Sequence, residues 1–294
     1  MAVNKQNIAL ATMREEKPFS FQKHSSIGCG GWASVGYFPR TEEELIGIVD
    51  GCLQSGMPYV VVGNMTNVLP PDGIVEKTVI CTNKCQDVKL LDSGVYVGTG
   101  VTSTQLLRVC ENACKTGAEF LEGIPCTVGG ALYMNAGVAG AYIGDIVQSV
   151  KVYYRGETLF LRVEDCKYAY KSSVFMQDDF LILGACLHLS NENKTEILAR
   201  KATYRERRAH LPKGKSMGCV FKNPQGAVAG KLIEGAGLKG LRIGGAKVAE
   251  EHANFIINEN NATTADVTKL IGVIKNAVRI QYGIELQEEI RYLY

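Results

Sequence analysis

The chain has 294 residues, which is enough for two domains or for one large core with an additional lobe. Its 32 basic and 30 acidic residues leave a formal charge of +2, so charge gives no reason to expect nucleic acid or an anionic membrane as a partner. No apolar run approaches the roughly 20 residues of a membrane helix, and the N-terminus lacks the apolar core of a signal peptide. We therefore expect a cytoplasmic protein that acts on small molecules.

Ten cysteines are spread along the chain, and their spacing bears on metal binding. None forms a Cys-x-x-Cys pair, and no histidine is grouped with them at a metal-ligand spacing, so no metal site is predicted. Without a secretion signal, reduced thiols are expected. Cys126 and Cys219 differ from the others because each lies inside a glycine-containing motif.

The first elements form a helix, a strand and a polar loop. Residues 41–44 form a predicted capping box for a helix that reaches about Ser55, and Gly56 is placed to end it. The apolar run 59–62 predicts a buried strand, which leads into the polar loop 63–67.

Further elements predict an α+β arrangement for this half of the chain. Strands are predicted at 79–80, 95–97 and 180–189, a helix at 103–115 closed by Gly117, and a hairpin of 150–154 and 159–162 around residues 155–157.

The last hundred residues follow a plan of their own. A polar stretch at 191–194 precedes a basic helical segment, 197–208, and we place the domain boundary between residues 193 and 194. Beyond it, helices are predicted at 228–236 and 264–282, ended by Gly237 and Gly283, and a strand at 254–258.

Residues 123–137 (GIPCTVGGALYMNAG) contain four glycines and a proline with few charges nearby. Glycine allows positive φ and close approach of the backbone to a ligand, and successive N–H groups in such turns can hold anions. A tight turn between packed elements is the structural alternative, but fifteen residues of this kind favour a cofactor cradle. Together with 63–67, this motif could enclose a diphosphate and a planar ring. A nicotinamide-type Rossmann site is disfavoured because the G-x-G-x-x-G spacing is missing.

Two other segments carry candidate chemistry. Within residues 216–224 (SMGCVFKNP), Cys219 is either a thiol aimed by a tight turn or a small buried residue, and a thiol donates a proton more readily than a hydroxyl. Near the C-terminus, Glu289 and Arg291 alternate along a predicted strand and so face the same side. Carboxylates on such a strand are usually solvated.

Taken in order, these segments resemble the flavin-dependent UDP-N-acetylenolpyruvoylglucosamine reductases (UDP-N-acetylmuramate dehydrogenases) of bacterial peptidoglycan synthesis. The resemblance spans nearly the whole chain and looks like the shorter type of this family, without an added tyrosine-bearing loop. The segments that carry it are 123–137, 170–175 (YKSSVF), 218–224 (GCVFKNP), 229–233, 237–240, 243–245, 252–258 (HANFIIN) and 289–291 (EIR).

The resemblance implies an α+β fold with two domains. Residues 1–193 would form an FAD-binding domain of the PCMH/VAO-like type, with lobes at about 20–83 and 84–193. Residues 194–294 would form a substrate-binding domain whose C-terminal strand returns to the active site.

The resemblance also implies a two-step reaction. NADPH reduces FAD, and hydride then passes from flavin N5 to C3 of the enolpyruvyl group of UDP-N-acetylglucosamine enolpyruvate. Protonation at C2 completes UDP-N-acetylmuramate. The implied role is in cell wall biogenesis and so in cell shape and cell division, and we expect a monomer.

Site residues follow position by position from the resemblance. Cys219 stands where most members have the proton-donating serine, Lys171 where the family has a carboxylate-binding arginine, and Glu289 matches the family's glutamate. The implied cofactor-binding residues are Gly63, Asn64, Met65, Thr66, Asn67, Gly123, Ile124, Pro125, Thr127, Val128, Gly129, Gly130, Asn135, Ala136 and Gly137. The implied substrate-binding residues are Lys222, Asn223, Lys231 and His252.

Three residues depart from the family pattern. Met65 and Cys126 replace glycines of the two cofactor loops, and Cys126 would be strained if its position requires positive φ. Lys171 cannot make the bidentate contact of arginine. These departures leave open a diverged member that binds a flavin or sugar nucleotide without catalysis. A flavin oxidase of another alcohol or sugar would leave the motifs from 218 to 258 unexplained.

Overall fold

The computed structural model describes residues 14–293. Its α-helices are α1 (Phe21–His24), α2 (Glu42–Ser55), α3 (Ser103–Asn112), α4 (Val128–Met134), α5 (Lys194–Arg208), α6 (Ala229–Gly235) and α7 (Thr264–Tyr282). Short 3-10 helices cover Thr82–Lys84, Glu119–Leu121, Ile143–Asp145, Val163–Cys166 and Val174–Met176.

The strands are numbered in chain order. Those of the first half are β1 (Glu15–Glu16), β2 (Phe19–Ser20), β3 (Trp32–Ala33), β4 (Gly36–Tyr37), β5 (Tyr59–Val62), β6 (Val68–Leu69), β7 (Ile74–Val75), β8 (Thr78–Cys81), β9 (Val88–Leu91), β10 (Gly94–Gly98), β11 (Lys115–Thr116), β12 (Gly137–Val138) and β13 (Ala141–Tyr142). Those of the second half are β14 (Val147–Tyr154), β15 (Glu157–Arg162), β16 (Leu181–His188), β17 (Ser190–Asn191), β18 (Ser216–Cys219), β19 (Arg242–Ile243), β20 (Ala246–Val248), β21 (Phe255–Asn258) and β22 (Arg291–Tyr292).

Local sequence signals place several helices where they were predicted. Thr41 Oγ1 accepts a hydrogen bond from the Glu44 N–H at 3.2 Å and so caps α2. Gly56 ends that helix in the left-handed conformation, at φ 65°. The same pattern recurs in α7, where Thr263 and Asp266 form a complete capping box and Gly283 has φ 67°. Both helix predictions are confirmed.

Unit 1 comprises residues 14–16, 35–64 and 77–209 of the described chain. It contains a four-stranded sheet in the order β1-β4-β8-β5 and a five-stranded antiparallel sheet in the order β15-β14-β16-β10-β9. One apolar core joins α3 and α4 to the five-stranded sheet. A second core gathers Leu45 and Ile48 of α2 with Ile80 of β8 and Leu183 of β16. Unit 1 therefore has two apolar cores, and β16 contributes side chains to both.

Unit 2 comprises Lys17–Ser34, Met65–Glu76 and the chain from His210 onward. Its main sheet has the order β18-β21-β20-β19, and α7 packs on it through apolar side chains such as Leu270 and Ile274. Ile27 and Leu69, which come from the first quarter of the chain, are buried in the same core.

The boundary between the units lies after Ala209, whereas the predicted domain boundary lay after residue 193. Ion pairs explain why α5 belongs to unit 1. Lys201 Nζ lies 2.9 Å from Glu111 Oε2, and Arg205 Nη2 lies 2.8 Å from Glu122 Oε1.

Two local predictions differ from the structure. The helix predicted over 103–115 ends at Asn112, because Cys114 has φ 53° and Lys115–Thr116 pairs with β17 instead. The motif 123–137 contains α4, which its glycines gave no reason to predict.

Candidate active site

Gly63, the first residue after β5, lies against Thr127 of the glycine-rich motif. A Cβ built on Gly63 would lie 2.3 Å from Thr127 Oγ1, so a larger residue cannot be accommodated without movement. The N–H groups of Gly63 and Asn64 donate to no backbone acceptor within residues 14–293. The glycine-rich motif thus touches the first predicted cofactor loop at a point where backbone donors are available.

The start of α4 uses its own N–H groups internally. Val128 N–H donates to Val101 O and Gly129 N–H to Thr99 O, both at 2.8 Å, and Gly130 N–H donates to Thr127 Oγ1 at 3.3 Å. These donors fix α4 against its neighbours and are not available to an anion. Any backbone donors to a diphosphate must therefore come from other positions, such as Gly63 and Asn64.

The predicted cofactor residues of this motif differ in burial. Ile124 and Gly137 are half-buried, Gly123, Pro125 and Gly130 are exposed, and Thr127, Val128, Gly129, Asn135 and Ala136 are buried. The buried Val128 and Ala136 side chains belong to the apolar core, so their role is to hold the motif in place. Arg208 at the end of α5 adds a hydrogen bond from Nε to Gly123 O, 3.2 Å long.

Asn135 ends α4 in the left-handed conformation, at φ 44°. Its side-chain amide donates from Nδ2 to Ala169 O at 2.9 Å and accepts from the Gly144 N–H at 3.1 Å. Asparagine tolerates this backbone conformation better than most residues because its side chain can bond nearby backbone groups. Asn135 therefore joins the glycine-rich motif to the segment that precedes Lys171.

Lys171 lies in a tight turn between Ala169 and Ser172, whose backbones exchange two hydrogen bonds of 3.1 Å. Lys171 itself has φ 53° and is half-buried. Ser173, two residues later, donates from Oγ to Tyr133 O at 2.6 Å. Within unit 1, the predicted carboxylate-binding lysine is thus held beside the glycine-rich motif.

Cys126 is not strained in the way its glycine-like position suggested. It is absent from the non-glycine residues with positive φ among those described, and its N–H donates to Ile124 O at 2.9 Å. Burial raises the pKa of its thiol to about 11. An ordinary conformation and a neutral thiol make Cys126 compatible with this loop.

Met65 is the departure with an unusual backbone. It has φ 47°, a region that glycine enters at little cost, and its side chain is only 4% exposed. Ser26 holds its carbonyl oxygen through a backbone bond of 3.3 Å and a hydroxyl bond of 3.2 Å. Met65 therefore keeps a glycine-like backbone and buries its side chain. Of its neighbours, Thr66 is half-buried.

Cys219 is the last residue of β18 and is half-buried. The pairing of β18 with β21 is irregular between Ser216 and Cys219, and Gly218 inside this irregularity has φ 75°. Such a bulge bends a strand and redirects the side chains that follow it. Of the two readings of the Cys219 motif, the aimed thiol required a tight turn here, and the structure has a β-bulge at that place.

The C-terminal tail runs antiparallel to the residues after Cys219. Glu289 N–H donates to Val220 O, and Lys222 N–H donates to Gln287 O, both at 2.8 Å. Glu289 is half-buried, and in unit 2 it lies on the backbone segment next to the one that carries Cys219. The structure thus brings these two predicted catalytic residues onto neighbouring segments.

The prediction of one strand through Glu289 and Arg291 is wrong. The strand β22 contains only Arg291–Tyr292 and pairs in parallel with β6. Glu289 lies outside β22 because Asn67 holds the backbone on both sides of Ile290. Asn67 Nδ2 donates to Glu289 O at 3.1 Å, and the Arg291 N–H donates to Asn67 O at 2.9 Å. Asn67, predicted to bind the cofactor, therefore also shapes the tail.

The remaining predicted substrate residues surround α6. Asn223 accepts the Ala229 N–H on Oδ1 at 3.0 Å at the start of α6, Lys222 is half-buried, and Lys231 is exposed on the helix. His252 Nδ1 accepts the Asn254 N–H at 3.2 Å. The pKa of His252 is lowered, chiefly by burial and next by the charge of the nearby His210. A neutral imidazole matches this acceptor role.

Residues 14–293 contain neither a metal-ligand cluster nor a membrane-spanning helix. No group of three or more His, Cys, Asp or Glu side chains that could hold a metal ion occurs among them. No helix within the same residues is long and apolar enough to cross a membrane.

Comparison with known families identifies the chain. The FAD binding domain family matches residues 33–160, and the C-terminal domain of UDP-N-acetylenolpyruvoylglucosamine reductase matches residues 209–293. A reductase of that name from Alkaliphilus metalliredigens is 38% identical over 96% of this chain and 95% of its own. The chain belongs to the UDP-N-acetylenolpyruvoylglucosamine reductase family. The corresponding protein of Clostridioides difficile is 36% identical, over 92% of this chain and 91% of its own.

A solved structure of this reductase family agrees with the fold. The crystal structure of UDP-N-acetylenolpyruvylglucosamine reductase from Thermus caldophilus matches with a TM-score of 0.83 and 34% identity, over 96% of this chain and all of the other. The predicted family is confirmed, as are the α+β fold with its FAD-binding domain and the assignment to FAD-dependent oxidoreductases.

Proposed function

We propose that this chain catalyses the NADPH-dependent reduction of UDP-N-acetylglucosamine enolpyruvate to UDP-N-acetylmuramate in peptidoglycan synthesis. The observation that carries the proposal is the hydrogen bond from the Glu289 N–H to Val220 O, which holds the Cys219 loop beside the C-terminal tail. Family membership supplies the substrate, and this geometry supplies an acid and a proton donor on adjacent segments of unit 2.

The residues of unit 1 fit FAD. Gly63 presents a backbone that a Cβ would obstruct, and its N–H and that of Asn64 have no backbone acceptor within residues 14–293. Backbone donors in a loop without side-chain bulk suit a diphosphate. We propose that these two residues, with the exposed Gly130, approach the cofactor most closely. When bound, FAD supplies the hydride that NADPH has delivered to it.

Cys219 is proposed to protonate C2 of the substrate. A thiol can give a proton as the serine of other members does, and the Gly218 bulge fixes the backbone from which it projects. A positioned acid of this kind typically contributes on the order of 10²- to 10⁴-fold to a rate.

Lys171, by its positive charge, and Glu289, as a protonated acid that donates a hydrogen bond, are proposed to stabilise the negative charge that develops on the substrate. The ammonium of Lys171 would attract the substrate carboxylate, as a point charge without the paired donors of arginine. Its turn is held to the glycine-rich motif through Asn135 and Ser173, which limits how far the charge can move. Preorganised charge at this stage of a reaction is a large source of catalysis.

Lys222, Asn223, Lys231 and His252 are proposed to contact the sugar nucleotide. We propose that the first part of the chain acts as the cofactor domain and the last part as the substrate domain, with the division after Ala209 rather than after residue 193 because α5 belongs to unit 1. We propose a cytoplasmic monomer that contributes to cell shape and division. Gel filtration of the purified protein tests the oligomeric state.

An absorbance spectrum followed by two half-reactions tests the function. The purified protein should show a flavin spectrum, alone or after addition of FAD. NADPH should bleach it and the enolpyruvyl substrate should restore it. The Cys219→Ala variant should still be bleached by NADPH but should recover at least about 100-fold more slowly with substrate. A colourless protein that takes up no FAD, or equal loss of both half-reactions in Cys219→Ala, would contradict the proposal.

A further inference from the structure

Asn254 is a buried polar residue to which the sequence assigned no role. It lies just before β21, is 3% exposed, and uses both its backbone and its side chain as hydrogen-bonding groups. Its carbonyl oxygen accepts the Val220 N–H at 2.8 Å. Its side-chain Oδ1 accepts the Phe221 N–H at 2.9 Å, and its Nδ2 donates to Phe221 O at 2.8 Å.

These bonds make the Asn254 amide act as a peptide group. The side chain satisfies the N–H and the C=O of one residue, Phe221, as a neighbouring strand would. The ladder between β18 and β21 ends at Cys219 and Phe255, and the Asn254 side chain extends it past that end. Two residues that β21 itself does not pair are thereby fixed directly after the proposed proton donor.

The opposite edge of the same segment is held by the C-terminal tail. Phe221 forms a bridge with Glu288, and the bonds from Glu289 to Val220 and from Lys222 to Gln287 lie on either side of it. The segment after Cys219 therefore lies between Asn254 on one side and the segment of Glu289 on the other. Without the Asn254 side chain, Phe221 loses both of its bonds on this side, and the segment is held by the tail, the Val220 backbone bond and its core packing.

We propose that Asn254 is a positioning residue for the reduction of the enolpyruvyl group. It acts through Val220 and Phe221 to hold Cys219 in register with Glu289. The role rests on the proposed function, because it assigns Cys219 and Glu289 to the step in which substrate is protonated. Reduction of the flavin by NADPH does not require that register, so the two half-reactions separate this role from a general loss of structure.

The test compares two asparagines that flank the same strand. Asn254→Asp keeps the Oδ1 acceptor and the size of the side chain but removes the donor to Phe221 O, and Asn254→Ala removes both bonds. Asn258→Asp is the matched control, since Asn258 also donates from Nδ2, to Ile27 O at 2.9 Å, and accepts on Oδ1, from the Ala262 N–H at 2.7 Å. Rapid mixing measures each half-reaction, and hydrogen exchange measures protection of the peptide that contains Val220 and Phe221.

Both Asn254 variants should be reduced by NADPH within about twofold of the wild-type rate, whereas reoxidation by substrate should slow on the order of 10- to 100-fold. Exchange at Phe221 should accelerate in Asn254→Ala, which removes the acceptor of its N–H, and stay unchanged in Asn258→Asp. Equal effects of Asn254→Asp and Asn258→Asp on reoxidation, or unchanged exchange in Asn254→Ala, would overturn the positioning role. If NADPH reduces the wild-type protein but the substrate does not reoxidise it, the proposed function is overturned. The exchange data would then still show whether the Asn254 side chain protects Phe221.

Discussion

Asn67 and Glu289 are joined by a hydrogen bond of 3.1 Å from Asn67 Nδ2 to the Glu289 carbonyl oxygen, across 222 positions of sequence. With the bond from the Arg291 N–H to Asn67 O, one residue holds the tail on both sides of Ile290, which is 4% exposed. The position of the proposed catalytic carboxylate therefore depends on a residue near the start of the chain.

The first prediction concerns this anchor. Asn67→Ala removes the Nδ2 donor but leaves the backbone bond, so the free energy of unfolding should fall by about 1 kcal/mol. Hydrogen exchange at residues 289–293 should accelerate. Asn276→Ala, at an exposed position on α7, is the control and should leave both quantities nearly unchanged. Unaltered exchange at 289–293 in Asn67→Ala would show that the tail does not depend on this amide.

The second prediction concerns the contact between Gly63 and Thr127. Gly63→Ala places a methyl group 2.3 Å from Thr127 Oγ1, so Thr127 must move and its cap on α4 must weaken. Overpacking of this kind costs about 1 to 3 kcal/mol of stability, and FAD affinity measured by flavin fluorescence should fall with it. Gly51→Ala in α2 meets no atom within 4 Å and should be neutral or stabilising. Wild-type FAD affinity in Gly63→Ala would contradict the assignment of this loop.

The third prediction concerns oxidation at position 219. Hydrogen peroxide converts a reactive thiol to a sulfenic acid, which serine cannot form. Peroxide should therefore abolish substrate reduction in the wild type, and dithiothreitol should restore it. Cys219→Ser should retain substrate reduction and resist peroxide, whereas Cys114→Ser, which removes an exposed thiol, should stay sensitive. Equal sensitivity of Cys219→Ser and the wild type would place the damage at another residue.

The fourth prediction concerns pH and the start of α7. Hydrogen bonds from the Thr263 and Gly245 N–H groups hold the pKa of Asp266 below its ordinary value. A carboxyl group with a lowered pKa stabilises the folded state above about pH 4, and this contribution disappears as pH falls through the folded value. Asp266→Ala should therefore lower the free energy of unfolding by about 1 kcal/mol at pH 7 and by less at about pH 3.

Thermal unfolding at the two pH values measures the effect of Asp266→Ala. Asp165→Ala is the control, because its exposed carboxylate lies 3.6 Å from Arg162 Nε and such pairs contribute less than about 1 kcal/mol. A loss in Asp266→Ala that is the same at both pH values would contradict an ionised cap.

The sequence predicts elements whose signals are local. Helices α2 and α7 begin at threonine caps and end at glycines, so residues adjacent in sequence are enough to predict where they start and stop. Helix α4 has only seven residues and carries two glycines in its first turn, which disfavour helix. It forms because Thr127 caps it and the core covers Val128 and Leu132, which are tertiary effects that no short window contains.

The candidate site divides in the same way. Motif resemblance predicts Cys219, Lys171 and Glu289 as site residues, but it does not predict the residues that hold them in place. Asn254 lies 33 positions from Phe221, and Asn135 lies 34 positions from Ala169. The buried amide at Asn254 has a weak sequence signal, a polar residue at the start of an apolar strand, and its partners emerge only when the strands are paired.

The path of the chain between the two units has a consequence for biosynthesis. The polypeptide leaves unit 2 after Ser34, returns at Met65, leaves again after Glu76 and returns at His210. Ile27, Cys29 and Leu69 share one apolar core with residues such as Phe221 and Ile290, which follow much later in the sequence. Unit 2 therefore cannot complete its core until Ile290 has left the ribosome, and the segment 209–293 expressed alone would expose the apolar surface that these earlier residues cover.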